Sequence, residues 1–137
     1  MALICDTGPL YGALDRMDGD HAACARLLGE ATEPIVVPAP VIVELEWLAS
    51  SRLEPGAFLA FLADVEGGTL QVAELERSDY PRIRQLLERY ADLPLGFVDA
   101  AVLAVVERFA EPRLATLDHR HFAIVRPRHV ASLELVP

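Results

Sequence analysis

The sequence predicts an α/β protein whose parallel sheet is covered by helices on both faces. Short apolar segments alternate with segments whose apolar residues recur at helical spacing, which is the pattern of strands joined by right-handed helical crossovers. A length of 137 residues suits one compact core, and no linker or repeat divides the chain. We therefore predict a single domain over residues 1–137. Because no apolar run reaches the roughly 18 residues of a membrane span, no association with a membrane is expected.

Three strands and four helices are predicted in the first 75 residues. The strands are the apolar segments ALIC at 2–5, PIVV at 34–37 and, after a Gly-Gly turn, TLQVAEL at 69–75. The helices are predicted at 9–17, 20–30, 38–51 and 55–66. The third helix opens with the prolines of PAP, which suit a first helical turn.

The remaining residues predict two helices and up to three strands. SDYPRIRQLLERYA is an amphipathic helix with Ser78 as its candidate cap. The following helix, FVDAAVLAVVE, is apolar on all sides except at Asp99, which predicts a buried helix that carries a carboxylate. RLATLD at 113–118 is the fourth strand, and weaker strand signals lie near 122–125 and 131–136.

Four acidic residues are predicted to meet at one edge of this sheet. Ligands of open parallel sheets bind beyond the carboxyl ends of the strands, and Asp6 and Asp118 each end a predicted strand. Glu44 shares a helical face with core residues such as Val41, near the start of its helix. Asp99 occupies the same place in its own helix, so all four carboxylates are expected at one site.

Each acid also has a purely structural interpretation. Asp6 in the turn DTGP could cap the next helix, and Asp99 could be an N-cap residue after Gly96. Glu44 could be a partly exposed helix acid, and Asp118 a loop acid. Their convergence on one edge of one sheet favours a shared site over four unrelated roles.

Carboxylates gathered in one place require a cation. Two unit charges about 4 Å apart repel by about 4 kcal/mol at an effective dielectric constant of 20. A ligand set made only of oxygens suits Mg²⁺ or Mn²⁺, which keep several waters and take phosphate oxygens as further ligands. The acids therefore predict metal-dependent phosphate chemistry, in which the ion lowers the pKa of a water.

Four segments in order resemble the acidic motifs of the PIN-domain ribonucleases, and in particular the VapC toxins of bacterial toxin–antitoxin pairs. They are the Asp-Thr pair after the first strand, VIVELEWL, LPLGFVDAAVLA and LATLDHRHF, which together span most of the chain. The resemblance implies a three-layer α/β/α PIN-like fold. It also implies a metal-dependent endoribonuclease that leaves 5′-phosphate and 3′-hydroxyl ends.

The same resemblance implies roles for individual residues. The acidic catalytic pocket would be formed by Asp6, Glu44, Asp99 and Asp118. Asp6 and Asp99 would be the principal ligands of Mg²⁺ or Mn²⁺. Thr7 and Thr116 fall where relatives often place a hydroxyl that hydrogen-bonds the acids. Gly8 departs from the family, because many relatives have a longer polar side chain there.

Partners are implied as well: an RNA substrate, a VapB-type antitoxin and a second copy of the chain in a homodimer. The net charge of −9 would attract a basic antitoxin tail towards the carboxylates. Apolar residues make up 53% of the chain, and the helices of the first half are the expected dimer interface. The N-terminus lacks the basic region of a signal peptide, so a cytoplasmic location is expected.

Two other functional classes share some of these features. A phosphoacceptor receiver domain also gathers acids at the carboxyl edge of a parallel sheet, but it holds the phosphoryl group with a Lys, and this sequence contains none. A catalytically silent module that binds a basic peptide through the acids is the second alternative. Metal-dependent cleavage of RNA distinguishes the enzyme from this module.

Several other residues have simpler expected roles. The segment HRH lacks further ligands at zinc-binding spacing, so His119 and His121 are expected to face solvent, where they can contact RNA. The arginines of the helix at 78–91 are expected on its solvated face. Trp47 and Phe97 are expected in the core.

Overall fold

A computed structural model describes all 137 residues of the chain. Five parallel strands form one sheet in the order β3-β2-β1-β4-β5. The strands are β1 (Leu3–Cys5), β2 (Ile35–Pro38), β3 (Leu70–Ala73), β4 (Arg113–Ala115) and β5 (Glu134–Val136). The helices are α1 (Thr7–Leu14), α2 (His21–Glu30), α3 (Ala39–Arg52), α4 (Pro55–Glu66), α5 (Asp79–Arg89), α6 (Phe97–Phe109) and α7 (His119–Ile124). The predicted parallel sheet is confirmed.

The strand order reverses beside β1, at the centre of the sheet. From β1 the chain builds outward through β2 to β3, and it then returns to the other side of β1 to form β4 and β5. Ile4 is aligned with Val36 of β2 on one side and with Leu114 of β4 on the other. A crevice opens at such a reversal, beyond the carboxyl ends of the two diverging strands. The fold thus places a binding site after β1 and β4.

Helices cover the sheet on both sides, as the predicted α/β/α layers require. Every residue of β1 and β2 is buried. Helix α1 packs against α2 and α3, whereas α5 packs against α6, which lies against β1 and β2. All seven residues from Ala100 to Val106 of α6 are buried, so this helix is apolar on all sides because protein surrounds it. No helix combines the length and the apolar character needed to cross a membrane.

The prediction of a strand near 122–125 is wrong, because these residues belong mostly to α7. Asp118 caps this helix: its Oδ1 accepts a hydrogen bond of 3.1 Å from the backbone N–H of His121. The local cap outweighs the strand propensity of a short apolar run. The strand signal near 131–136 is confirmed by β5. Ser78 immediately precedes α5, but its side chain makes no capping hydrogen bond.

One arginine of α5 is not on a solvated face. Arg82 is only 9% exposed, and its guanidinium donates two hydrogen bonds of 2.8 Å to the carboxylate of Glu107 on α6. A buried charge needs such a bidentate partner. Arg84 and Arg89 are exposed, as predicted.

Candidate active site

The four predicted acids line a single pocket of about 460 Å³ at the strand reversal. Asp6 follows β1 directly, and Asp118 follows β4 after two residues. Glu44 reaches the pocket from α3 and Asp99 from the first turn of α6. The other residues that line the pocket are Thr7, Gly8, Leu48 and Leu117. The structure therefore brings together all four carboxylates that the sequence singled out.

Asp6 is the most deeply placed of these acids. It is 6% exposed, and burial raises its pKa from the ordinary value of 3.8 to about 7. The nearby carboxylates of Asp99 and Glu44 raise the pKa further, whereas hydrogen bonds from the Thr7 backbone and the Thr116 hydroxyl lower it. The carboxylate of Asp6 is thus held in a place where its negative charge is poorly compensated by the protein alone.

Thr116 connects two of the acidic segments. It is completely buried, and its hydroxyl donates a hydrogen bond of 2.9 Å to Oδ2 of Asp6. The same hydroxyl oxygen accepts a 3.0 Å hydrogen bond from the backbone N–H of Asp118. The supporting role expected of Thr116 is therefore visible in its geometry. Thr7 differs: its buried hydroxyl oxygen has no hydrogen-bond partner in the protein.

Asp99 occupies the third position of α6 rather than the N-cap. Gly96 is the N-cap residue, and its backbone N–H donates a hydrogen bond of 3.1 Å to Oδ2 of Asp99. This is one half of a capping box, so the interpretation of Asp99 as the cap residue itself is wrong. Burial raises the pKa of Asp99, although the Gly96 hydrogen bond lowers it, and the carboxylates of Asp118 and Glu44 raise it again. The carboxylate of Asp99 therefore both stabilises the start of α6 and lines the acidic pocket.

Glu44 of helix α3 lines the pocket, and other residues of the same helix face solvent. Glu44 is partly buried beside Leu48, while Glu46 is exposed, as the helical geometry predicts. The predictions that Trp47 and Phe97 lie in the core are wrong, since 66% of Trp47 and 46% of Phe97 are exposed. Helical spacing shows which side chains share a face of a helix, but it does not show how far neighbouring elements cover that face.

His121 is a residue of the site whose position the sequence does not predict. Its Nδ1 lies 2.6 Å from Oδ2 of Asp118, and its side chain is 19% exposed rather than facing solvent freely. The signal was present as an acid and a histidine three residues apart, a spacing that places both on one face of a helix. His119 is exposed, and its Nε2 lies 3.0 Å from the carbonyl oxygen of Thr116.

The donor set fits a hard divalent cation that retains its waters. No three His, Cys, Asp or Glu side chains are close enough to enclose an ion by themselves. Mg²⁺ is usually bound through one or two carboxylates, with water and phosphate oxygens completing its octahedron. Burial and neighbouring carboxylates raise the pKa of both Asp6 and Asp99, which line the same pocket. A bound cation would stabilise the charged form of both carboxylates.

The surface beside the pocket is apolar. A groove of about 480 Å³ lies where α3, α5 and α6 approach one another, and the exposed residues Val43, Tyr80 and Phe97 are among those that line it. It lies next to the acidic pocket, because Val98 lines the groove and Asp99 lines the pocket. The candidate site is therefore an acidic pocket with an apolar groove beside it.

Three solved structures illustrate the similarity in fold. VapC20 of Mycobacterium tuberculosis, described as a sarcin–ricin loop cleaving toxin, matches with a TM-score of 0.82 and 19% identity over 94% of this chain and 98% of its own. VapBC2 of Rickettsia felis, bound to a DNA fragment from its promoter, matches with a TM-score of 0.71 and 18% identity over 100% of both chains. FitAcB of Neisseria gonorrhoeae matches with a TM-score of 0.65 and 15% identity over 100% of this chain and 97% of its own.

Sequence comparison leads to the same group of proteins. The chain is 29% identical over 135 residues to the ribonuclease VapC26 of Mycobacterium tuberculosis, a match that covers 98% of this chain and 100% of the relative. A family model for the PIN domain matches residues 3–126, which include all four acids of the pocket. The chain therefore belongs to the PIN-domain family.

Proposed function

We propose that this chain is a metal-dependent endoribonuclease and the toxin of a VapBC-type toxin–antitoxin pair. The observation that carries the proposal is the meeting of four carboxylates in one pocket at the strand reversal of a PIN-domain sheet. RNA is the substrate class we assign, because the relative of nearly equal length is named a ribonuclease. A toxin acting on cellular RNA works in the cytoplasm, which is the location we assign.

Asp6 and Asp99 are the residues we assign as ligands of Mg²⁺ or Mn²⁺. When bound, such an ion lowers the pKa of a water and neutralises charge on the phosphate. Thr116 holds Oδ2 of Asp6 in a fixed direction, and the Gly96 N–H does the same for Oδ2 of Asp99. Glu44 lines the same pocket, and we assign it the role of orienting the attacking water.

The proposed reaction is hydrolysis of one phosphodiester bond. Water attacks phosphorus, the bond from phosphorus to the 3′-oxygen breaks, and the leaving oxygen takes up a proton. The products carry a 5′-phosphate and a 3′-hydroxyl. Attack by the ribose 2′-hydroxyl would instead give a 2′,3′-cyclic phosphate, which needs no metal and no acidic pocket.

The test is cleavage of RNA by the purified chain, freed of any antitoxin, with and without divalent ions. We expect cleavage with Mg²⁺ or Mn²⁺, none in EDTA, and recovery when the ion is added back. Asp6→Asn, which keeps shape and removes charge, should be inactive under all conditions. Full activity in EDTA, or cyclic phosphate products, would contradict the proposal. A folded chain that never cleaves RNA would support the silent binding module instead.

The antitoxin is the second partner we propose. Two of the similar folds were solved as VapBC2 and FitAcB. The acidic pocket and the net charge of −9 favour a partner segment that carries positive charge, since opposite potentials steer association. Co-expression of a VapB-type antitoxin with the chain should suppress RNA cleavage, and high salt should weaken the complex.

A homodimer is the assembly we propose, with α3 and α4 at its interface. Val43 and Trp47 on α3, and Leu59 and Leu62 on α4, are apolar and 40% to 73% exposed. Contiguous exposed apolar residues mark interaction surfaces in soluble proteins. Light scattering at tens of micromolar should give twice the chain mass, and Trp47→Ser should shift it towards monomer. A monomeric wild-type chain would contradict the assignment.

A further inference from the structure

His121 and Asp118 form a fixed pair at the rim of the acidic pocket. One carboxylate oxygen of Asp118 accepts the backbone N–H of His121 at 3.1 Å, and the other lies 2.6 Å from Nδ1 of its ring. Two contacts from one carboxylate hold both the main chain and the imidazole. The ring orientation is therefore set before any ligand arrives.

The second ring nitrogen of His121 is left free. Nε2 makes no hydrogen bond within the protein, and 19% of the side chain is accessible. The ring is held by Asp118, which lines the acidic pocket, so it lies at the edge of that pocket. His119 is different, because its Nε2 is already engaged by the carbonyl oxygen of Thr116.

The contact with Asp118 restricts what Nε2 can bind. A carboxylate only accepts hydrogen bonds, so Nδ1 of His121 carries a proton, and Nε2 of the neutral ring is an acceptor. A phosphate oxygen cannot donate to an acceptor nitrogen. A hydroxyl group can donate to Nε2 of the neutral ring and can accept from Nε2–H of the charged ring, so it fits in both states.

We propose that Nε2 of His121 hydrogen-bonds the ribose 2′-hydroxyl beside the cleaved phosphodiester, and thereby selects RNA over DNA. The 2′-hydroxyl is the group by which a protein can tell the two apart. It neighbours the 3′-oxygen that leaves in the proposed hydrolysis, and His121 contacts Asp118, one of the acids of the pocket where that phosphodiester would be cleaved. The assignment rests on the proposed ribonuclease function.

Two variants separate the nitrogens of the ring. In His121→Asn the amide takes the place of Nδ1, which keeps the contact with Asp118 and removes Nε2. In His121→Gln the amide reaches the place of Nε2 and gives up the Nδ1 contact. Each is assayed on an RNA oligonucleotide and on the same oligonucleotide with a single 2′-deoxy nucleotide on the 5′ side of the mapped cleavage position. Thermal unfolding of each variant shows that it is folded.

Wild type should cleave the all-RNA substrate about 10-fold faster than the deoxy substrate, the effect of one hydrogen bond. His121→Asn should lose this preference and cleave both at the slower rate, whereas His121→Gln should keep part of it. Retention of the full preference by His121→Asn, whether its rates stay the same or fall equally on both substrates, would overturn the assignment while leaving the ribonuclease proposal intact. Absence of any cleavage by wild type in Mg²⁺ would overturn the proposed function and this assignment with it.

Discussion

Asp6 should make the metal-free protein less stable as the pH rises. Its pKa is about 7 in the folded chain against an ordinary value of 3.8, so between these values the folded state binds a proton that the unfolded state has released. Stability is therefore highest near the lower value and falls until the pH passes the upper one. A difference of about three pH units, at about 1.4 kcal/mol per unit, corresponds to a loss of at most about 4 kcal/mol.

The matched variant is Asp6→Asn, which removes the charge while its amide oxygen can still accept from Thr116. Urea unfolding in EDTA between pH 5 and pH 8 should show wild type losing about 3 kcal/mol more than the variant. Subtracting the variant removes every pH-dependent contribution that the two proteins share. Above pH 7 the variant should be the more stable of the two.

Saturating Mg²⁺ should reverse this order, because an ion that binds only the folded state stabilises it, and wild type offers the fuller ligand set. Identical pH dependence of wild type and Asp6→Asn in EDTA would refute the argument that burial and neighbouring carboxylates store unfavourable charge at Asp6.

Two further substitutions test other parts of the structure. Asp99→Asn should lower RNA cleavage by at least about 100-fold, which is comparable with the largest losses caused by disturbing a metal ligand's surroundings. It should also reduce the rise in Tm that Mg²⁺ produces. If Mg²⁺ raised the Tm of wild type and variant equally and cleavage stayed intact, Asp99 would be a helix-stabilising residue only. Glu107→Ala should cost about 3–5 kcal/mol, since it leaves Arg82 charged and buried. The double variant Arg82→Met, Glu107→Leu should cost clearly less, and a loss as large as that of the single variant would show that the ion pair is not the reason.

The regular elements follow from the sequence because their causes are local. Short apolar segments between helical patterns predict parallel strands, and a helix that is apolar on all sides predicts the buried α6. The site is predictable for a related reason: acids that directly follow strands, or begin helices, must meet at the carboxyl edge of a parallel sheet. Asp6 and Asp118 could be placed there without knowing the strand order.

Other features depend on which elements the chain brings together, which periodicity does not encode. Arg82 is buried because its helix packs against α6, whereas Trp47 is exposed because no other element covers it. Neither fact follows from the spacing of residues within one helix. The region near 122–125 became helix α7 because Asp118 caps it, a contact that outweighs strand propensity over four residues. The other oxygen of the same carboxylate sets the ring of His121. The sequence by itself determined the sheet, the buried helix and the four acids that converge, since strand and helix periodicity are properties of neighbouring residues. Only the tertiary structure decided the raised pKa of Asp6, the exposure of Trp47 and the free nitrogen of His121, because burial and electrostatic neighbours exist only after distant segments have packed.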